Sequence, residues 1–278
     1  LHIHAPHFAV FIAPQAKKAG IKKICCHCHT TWYSLFPKNE FRNRLLAAPV
    51  KCLAGTCFAC GTDAGKFWFK NNFYVLANAV DCAAFRFDEK RREKARQSLG
   101  LGDCLVCGNV GRLYPPQKNH PFILKIFAEV KKQRSDAKLL LVGAEEEPSL
   151  LSLAKKLEIE KDVLFLGQRR DVADLLFAMD VFLFPSLREG LPVAAIEAQA
   201  SGLPVLMART ITREALVAPN AKMLSLEASP REWANAAVSA ALEARKDNYD
   251  IMKAVGWDIT DRAARLAEYY RTGVFRDF

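Results

Sequence analysis

The segment PSLREGLPVAAIEAQASGLPV (185–205) is the most informative part of this chain, because it contains a strand end, a helix and the next strand in order. The four apolar residues before it, 181–184, predict a buried parallel strand that Pro185 ends. Pro192 suits the first turn of a helix, where its missing N–H has no partner to lose. Gly202 predicts that this helix ends near Ser201, before a strand at 203–206.

Two carboxylates, Glu189 and Glu197, lie eight positions apart across the start of this helix. Glu189 falls in the loop before the helix, where free N–H groups and the helix dipole favour oxygen-rich and anionic ligands. Glu197 falls two turns further on among Ala and Ile side chains, where a carboxylate without a bonding partner would be energetically unfavourable. The alternative interpretation is an N-cap acid plus a surface acid. The small residues of the helix and the Gly-Leu-Pro at both of its ends favour a ligand site.

Strand and helix patterns alternate through residues 99–257, which predicts βαβ units, a parallel sheet and an α/β fold. Ligands of such sheets bind beyond the carboxyl ends of the strands. A second, incomplete set of strands and helices occupies residues 1–81, with one basic amphipathic helix expected over 40–54. A terminal helix is expected over 260–271, and we find no internal repeat.

The segment NVGRLYPPQKN (109–119) follows another predicted strand of the same sheet. Gly111 relieves the steric restriction of the turn. Arg112 and Lys118 project at the ligand edge, and two cations near a helix N-terminus suit a diphosphate. The alternative interpretation is that Arg112 and Lys118 are ordinary surface charges in contact with solvent and bind no ligand.

Charge is distributed unevenly along the 278 residues. The net charge of +10 comes entirely from residues 1–98, which contain sixteen Lys and Arg against six Asp and Glu. Such a region attracts polyanions. Since no nucleic-acid-binding motif accompanies it, an anionic membrane surface is the favoured partner and nucleic acid is not expected. A basic surface in contact with solvent alone is the alternative.

The nine cysteines and the segment CCHCHTTWYS (25–34) raise the question of a metal. The spacing fits no standard zinc finger, and the CxxC pairs at 57–60 and 104–107 fall inside predicted buried strands, where Cys acts as a small hydrophobe. We therefore predict no metal ligands. An odd number of cysteines in a chain of this type also favours reduced thiols and a cytoplasmic location.

The motif of Glu189 and Glu197 resembles the E-x7-E signature of retaining glycosyltransferases of family 4, which have the GT-B fold. The resemblance extends over essentially the whole chain and is greatest to bacterial exopolysaccharide and capsule enzymes. It implies two Rossmann-like domains facing across a cleft. We expect a partial acceptor-side domain at 1–81, joined by a crossover helix at 258–278, and a nucleotide-sugar-binding domain at 82–257. The acceptor-side domain is expected to lack its first strand and a glycine-rich loop, and the chain alone is then expected to be inactive.

The resemblance also implies a role for each motif. His29 corresponds to the imidazole that faces the transferred sugar. Arg112 and Lys118 hold and neutralise the leaving diphosphate in place of a metal. Glu189 binds donor-sugar hydroxyls and Glu197 binds ribose hydroxyls. The remaining donor-binding residues are expected to be Gly167, Gln168, Arg169, Gly190 and Leu191.

The expected reaction is therefore a retaining, metal-independent transfer from a nucleotide-sugar, with UDP-sugar favoured, to a saccharide or lipid-linked acceptor. No cofactor is expected. The protein is expected in the cytoplasm, peripheral on the inner face of the membrane. The alternatives are a non-catalytic nucleotide-binding scaffold and another GT-B enzyme, of the phosphorylase or epimerase type.

Overall fold

The computed structural model describes residues 1–113, 116–143 and 146–276. The chain divides into two compact units. The first unit contains residues 1–79, 189–191 and 256–278, and the second contains residues 80–188 and 192–255. None of the helices in the described part of the chain combines the length and apolar character that a bilayer span requires.

The first unit is built on four parallel strands that pair in chain order. The strands are β1 (His2–Ile3), β2 (Cys25–Cys28), β3 (Thr56–Ala59) and β4 (Tyr74–Val75). The helices between them are α1 (Ala9–Lys18), α2 (Pro37–Ala47), α3 (Val50–Leu53) and α4 (Thr62–Phe69). Every residue of β2 is buried, as expected for a strand covered on both faces of a parallel sheet.

One helix prediction in this unit was wrong. The segment expected to form one helix over 40–54 contains α2 and α3, with a break at Ala48 and Pro49. Proline has no N–H and its ring clashes with the preceding turn, so a helix does not continue through it without a kink. The strand β1 and the helix α1 lie in a region for which the sequence analysis predicted no element.

The second unit contains six parallel strands and the helices that connect them. The strands are β5 (Val106–Val110), β6 (Lys138–Val142), β7 (Val163–Phe165), β8 (Val181–Phe184), β9 (Val205–Ala208) and β10 (Ala221–Leu224). The helices are α5 (Glu89–Ser98), α6 (His120–Gln133), α7 (Pro148–Lys156), α8 (Val172–Ala178), α9 (Val193–Ala200), α10 (Pro230–Ala241) and α11 (Tyr249–Ala254). The strand β10 and the helix α11 were not predicted.

The strand order of the second unit is β10-β9-β8-β5-β6-β7. The first strand of the unit, β5, therefore lies beside its fourth strand, β8, and the chain proceeds outward in opposite directions from this pair. This is the Rossmann order, and its topological switch point lies between β5 and β8. Ligands of open α/β sheets bind beyond the strand ends at that point.

The chain ends with α12 (Ile259–Thr272), which belongs to the first unit. Tyr269 of this helix is buried against Cys25 and Phe58, and its hydroxyl donates to Thr56 Oγ1 over 2.6 Å. Lys23 donates to the carbonyl of Tyr270 over 2.9 Å. These contacts fix the last helix to the sheet of the first unit, although about 170 residues of the second unit separate them in the chain.

Candidate functional site

The two loops at the switch point of the second unit are joined by hydrogen bonds. One loop follows β5 and the other follows β8. The Leu187 N–H donates to the carbonyl of Gln117 over 2.8 Å, and the Asn119 amide donates to the carbonyl of Pro185 over 3.2 Å. The segment with Arg112 and Lys118 therefore lies next to the start of the E-x7-E segment, at the edge where the fold places ligands.

Lys118 lies over the ends of both central strands. Its ammonium is 4.6 Å from the ring centroid of Phe184, the last residue of β8. Its alkyl chain packs against Gly111, where an added Cβ would be only 2.9 Å from Lys118 Cε. A side chain at position 111 would thus push Lys118 from its present place. Arg112, the second predicted cation, is exposed.

This packing makes Gly111→Ala a test of how Lys118 is positioned. The backbone at Gly111 is not in the left-handed region and the crowded atoms are the far end of a flexible side chain. We expect a change in melting temperature of at most a few degrees, but about a 3- to 10-fold weaker affinity for the nucleotide that the resemblance implies at this edge, measured by calorimetry. The control is Gly55→Ala, because the nearest atom to a Cβ there is 3.8 Å away. Equal affinities of the two variants would contradict the positioning role.

Glu197 is a partly exposed carboxylate on α9, between the buried residues Ile196 and Ala198. Burial raises the pKa of its carboxyl group above the ordinary value. Within residues 1–113, 116–143 and 146–276, no hydrogen bond or ion pair involves this carboxylate. A desolvated carboxylate without partners is costly in the free protein and suits hydroxyl donors of a ligand.

The helix that carries Glu197 is anchored by Gln199. This side chain is fully buried, and its amide nitrogen donates to the carbonyls of Ala195 and Ala215 over 3.0 and 2.8 Å. Its amide oxygen accepts the N–H groups of Val217 and Ala218, each over 2.9 Å. All the polar groups of Gln199 are thus used to hold α9 in place.

The predicted base-binding loop follows β7. Gly167 has a positive φ of 58°, and its carbonyl accepts the N–H of Gly143 over 2.6 Å. Gln168 and Arg169 are exposed. Arg169 pairs with both oxygens of Asp171 at 2.8 and 2.6 Å, which lowers the pKa of that carboxyl group. Asp171 lies at the N-cap of α8 as expected, but its side chain bonds Arg169 and not the helix amides.

Residues 189–191, which contain Glu189, Gly190 and Leu191, are grouped with the first unit. Glu189 is half-buried and Leu191 is buried. An added Cβ at Gly190 would lie 2.1 Å from the carbonyl oxygen of His29, so this position has room only for glycine. Tyr114 and Pro115, from the segment 109–119, lie outside the described residues.

His29, at the end of β2, has a hydrogen-bond partner on each ring nitrogen. Nδ1 lies 3.0 Å from Asn78 Oδ1, and Nε2 lies 2.9 Å from Nδ1 of His4. Burial lowers the pKa of His29, so its ring is neutral near pH 7. Beside it is a cavity of about 380 Å³ whose aromatic lining includes Trp32, Tyr33 and Trp68. Aromatic faces with a nearby neutral imidazole suit the apolar face and the hydroxyls of a sugar ring.

The sequence analysis missed two histidines that contribute to this face of the first sheet. His2 and His4 on and after β1 stack on each other with ring centroids 4.5 Å apart, and His27 of β2 lies 5.4 Å from His2. The sequence feature that could have predicted this grouping is the His-x-His pattern, which occurs at 2–4 and again at 27–29. In a strand such a spacing places both rings on one face.

Three of the four CxxC cysteines follow the prediction of packing side chains. The prediction was wrong for Cys104, which is half-buried and precedes β5, and Cys60 is buried but lies just after β3. Cys57, Cys60 and Cys107 are buried, and burial raises the pKa of Cys57 to about 11. All nine cysteines are free thiols. Neither CxxC pair forms part of the one cluster of possible metal ligands found among the described residues, which is made of histidines.

Comparison with known proteins identifies the family. The family model of glycosyl transferases group 1 matches residues 105–242. The Bacillus subtilis (strain 168) protein EpsF, which is named as a glycosyltransferase, is 31% identical over 297 residues that cover 100% of this chain and 76% of EpsF. An Escherichia coli protein named as a UDP-Gal:alpha-D-GlcNAc-diphosphoundecaprenol alpha-1,3-galactosyltransferase is 34% identical over 237 residues, 78% of this chain and 59% of its own.

Solved structures give the same fold. Anabaena HepE, crystallised with UDP, matches with a TM-score of 0.80 at 20% identity, over 98% of this chain and 78% of HepE. The lipopolysaccharide glycosyltransferase WaaG matches with a TM-score of 0.68 at 18% identity, over 95% of this chain and 78% of WaaG. The prediction of the fold and of the enzyme class is confirmed. The chain therefore belongs to the glycosyl transferases group 1 family and is a glycosyltransferase with the GT-B fold.

Proposed function

We propose that the protein transfers a sugar from a UDP-sugar to a saccharide or lipid-linked acceptor, with retention of the anomeric configuration. The observation that carries this proposal is the junction of the β5 and β8 loops at the switch point of the second unit. Lys118 lies at that junction, and Glu197 follows on the helix after the second loop. The presence of UDP in the HepE crystals and the UDP-sugar in the name of the E. coli relative support UDP as the nucleotide.

The proposed roles follow the chemistry of each side chain. Lys118 and Arg112 neutralise the negative charge that develops on the departing diphosphate, so that the step does not require Mg²⁺ or Mn²⁺. Glu197 accepts hydrogen bonds from ribose hydroxyls, which repays the cost of its desolvation. Gly167, Gln168 and Arg169 face the base, while Glu189, Gly190 and Leu191 contact the donor sugar.

In the first unit, His29 is proposed to face the transferred sugar. Its neutral ring is fixed by Asn78 and His4. The aromatic cavity beside it is the proposed place of the acceptor saccharide. The diphosphoundecaprenol in the name of the E. coli relative supports a lipid-linked saccharide as the acceptor. The proposed role is in exopolysaccharide or cell-envelope synthesis, in the cytoplasm.

The direct test is turnover with a panel of UDP-, GDP- and ADP-sugars and lipid-linked saccharide acceptors. We expect UDP release that depends on the acceptor and not on added Mg²⁺, and, from an α-linked UDP-hexose, an equatorial anomeric proton in the product by NMR. Turnover that requires inorganic phosphate would indicate a phosphorylase, and isomerised donor without acceptor would indicate an epimerase. Nucleotide binding without any turnover would indicate a scaffold.

We also propose that the first unit binds an anionic membrane surface through α2. This helix exposes 72% of Phe41 and 58% of Leu45, which are one turn apart. Its basic residues are Lys38, Arg42 and Arg44, and exposed Lys51 follows on α3. Apolar side chains among cations are typical of interfacial helices.

Replacing these four basic residues with glutamine is expected to weaken binding to phosphatidylglycerol vesicles at least 10-fold, since each cation near an anionic surface contributes about 1 kcal/mol. The measurement is vesicle co-sedimentation at ~0.1 M salt. The matched control replaces four exposed lysines of the second unit, Lys90, Lys94, Lys155 and Lys156. If the two quadruple variants bind alike, α2 is not the membrane contact.

A further inference from the structure

We propose that His2, His4 and His27 of the first unit form a binding site for a divalent transition-metal ion of the zinc class. Each of these histidines offers one ring nitrogen, and the three nitrogens lie within 4.8 Å of one another. The site is not part of the proposed sugar transfer. Its ligands are imidazoles, which suit zinc-class ions and not the ions that usually bind a sugar-nucleotide diphosphate. Mg²⁺ and Mn²⁺, the ions that accompany diphosphates, prefer carboxylate and water oxygens.

The pairing of β1 with β2 creates the cluster. The two strands are parallel, with His2 opposite Cys25 and Ile3 opposite Cys26. Alternate residues of a strand share a face of the sheet, so His2, His4 and His27 project to the same side. The ring centroids of His4 and His27 are 5.6 Å apart.

Several ring nitrogens of the cluster are buried and have no hydrogen-bond partner among the described residues. His27 is only 4% exposed, and neither of its ring nitrogens makes a hydrogen bond of normal geometry with a described residue. The backbone of Leu76 raises the pKa of His27 slightly, but burial outweighs this effect and the pKa is lowered. Nε2 of His2 is likewise buried without a partner. Unsatisfied buried groups of this kind are destabilising, and a coordinated ion would satisfy Nε2 of His2 and one of the two ring nitrogens of His27.

Hydrogen bonds on the other ring nitrogens select the tautomers that a metal needs. Asn78 Oδ1 accepts from Nδ1 of His29, which leaves Nε2 of His29 to accept from Nδ1 of His4. The lone pair of His4 is then on Nε2. Nδ1 of His2 pairs with the Tyr270 hydroxyl over 2.6 Å, which leaves Nε2 of His2 for the ion. Partners of this type orient metal-binding histidines and fix their tautomers.

The spacing and the protonation state suit the ion. Two nitrogens on one tetrahedral zinc are about 3.3 Å apart, because Zn–N bonds are about 2.0–2.1 Å long. Side-chain rotations that shorten the nitrogen–nitrogen distances by at most about 1.5 Å would therefore give the spacing of zinc ligands. Burial lowers the pKa of His2 to about 4 and that of His27 well below the ordinary value. The rings of His2 and His27 are therefore neutral at pH 7, as metal binding requires.

The test uses the full chain, purified without a polyhistidine tag and stripped with a chelator. Co²⁺ is titrated at pH 7 with visible spectroscopy, and Zn²⁺ is then added in competition. We expect one ion per chain, d–d absorption bands of nitrogen-bound Co²⁺ in four- or five-coordination, displacement by Zn²⁺, and a higher melting temperature with Zn²⁺ but not with Mg²⁺. The double variant His2→Asn, His4→Asn is expected to lose affinity at least ~100-fold, since even indirect partners of a metal contribute 10- to 100-fold.

Two further variants keep the outcome clear. His7→Asn, outside the cluster, is the matched control and should bind as the parent does. His27→Gln removes the third ligand, and its folding is checked by circular dichroism before titration. The proposal is overturned if the parent binds no ion above background, if the double variant binds as tightly as the parent, or if Mg²⁺ gives the same stabilisation as Zn²⁺. None of these readouts depends on sugar transfer.

Discussion

Replacing Lys118 with alanine is expected to lower turnover of the UDP-sugar by about 100- to 1,000-fold, the usual loss when one donor to a developing charge is removed. The ammonium group lies over Phe184 at the switch point, where the proposed diphosphate leaves. UDP affinity should fall by ~10- to 100-fold as well, because hydrogen bonds to charged groups contribute about 1.5–3 kcal/mol. Steady-state kinetics and calorimetry with UDP measure the two effects separately.

Two controls accompany the Lys118 variant. Lys125→Ala removes an exposed lysine of the following helix, α6, and should leave both quantities unchanged. Lys118→Arg keeps the charge but replaces a point charge with a planar fork, so an intermediate loss is expected. If Lys118→Ala binds UDP and turns over like the parent, the diphosphate does not lie at the β5–β8 junction.

Glu197→Gln is expected to stabilise the free protein at pH 7 while weakening UDP binding by ~10- to 100-fold. The carboxylate is desolvated and makes no bond within the described residues, so a neutral amide of the same shape removes a cost of folding. The bound ribose hydroxyls would lose a charged acceptor. Thermal unfolding and calorimetry on the same samples measure the two opposite changes.

The pH dependence of Glu197 has a definite sign. Its pKa in the folded state is raised above the ordinary value of 4.5. The group therefore stabilises the fold most below pH 4.5, and that contribution is lost as the pH rises through the raised pKa. The stability advantage of Glu197→Gln should accordingly be full at pH 7 and vanish below about pH 4.5. UDP affinity of the parent should fall as the pH drops through the same range, because the protonated acid is a poorer acceptor.

The matched control for these measurements is Glu160→Gln, an exposed glutamate at the turn before β7. It should change neither stability nor UDP affinity. A Glu197→Gln variant that is less stable than the parent at pH 7 would show that the carboxylate has a partner in the free protein. Unchanged UDP affinity would remove Glu197 from the donor site.

Local patterns predicted most of the second unit. The apolar runs of β6 and β8 are buried on both faces of a parallel sheet, so their composition alone identifies them. The strand β10 was missed because its four residues, AKML, are only partly buried and show no long apolar run. The break at Pro49 had a signal in the sequence, since proline stops a helix, and the helical pattern on both sides concealed it.

The candidate site was predictable only in part. The spacing of Glu189 and Glu197 and the cations at 112 and 118 could be read as ligand residues, because their positions relative to strand ends follow from the local sequence. The anchoring of α9 by Gln199 and the absence of a bond to the Glu197 carboxylate within the described residues could not. These depend on side chains brought together from positions up to 19 residues away.

Local sequence was enough to predict most strands and helices of the second unit and the loops that carry charges and glycines, because these depend on periodicity, on proline and on glycine within a few residues. Three features required the folded chain: the pairing of β5 with β8, the approach of His2 and His4 to His27, and the packing of α12 on Cys25. Strand order, register and the docking of a terminal helix depend on burial between distant segments, and no local pattern records which of two apolar surfaces will meet.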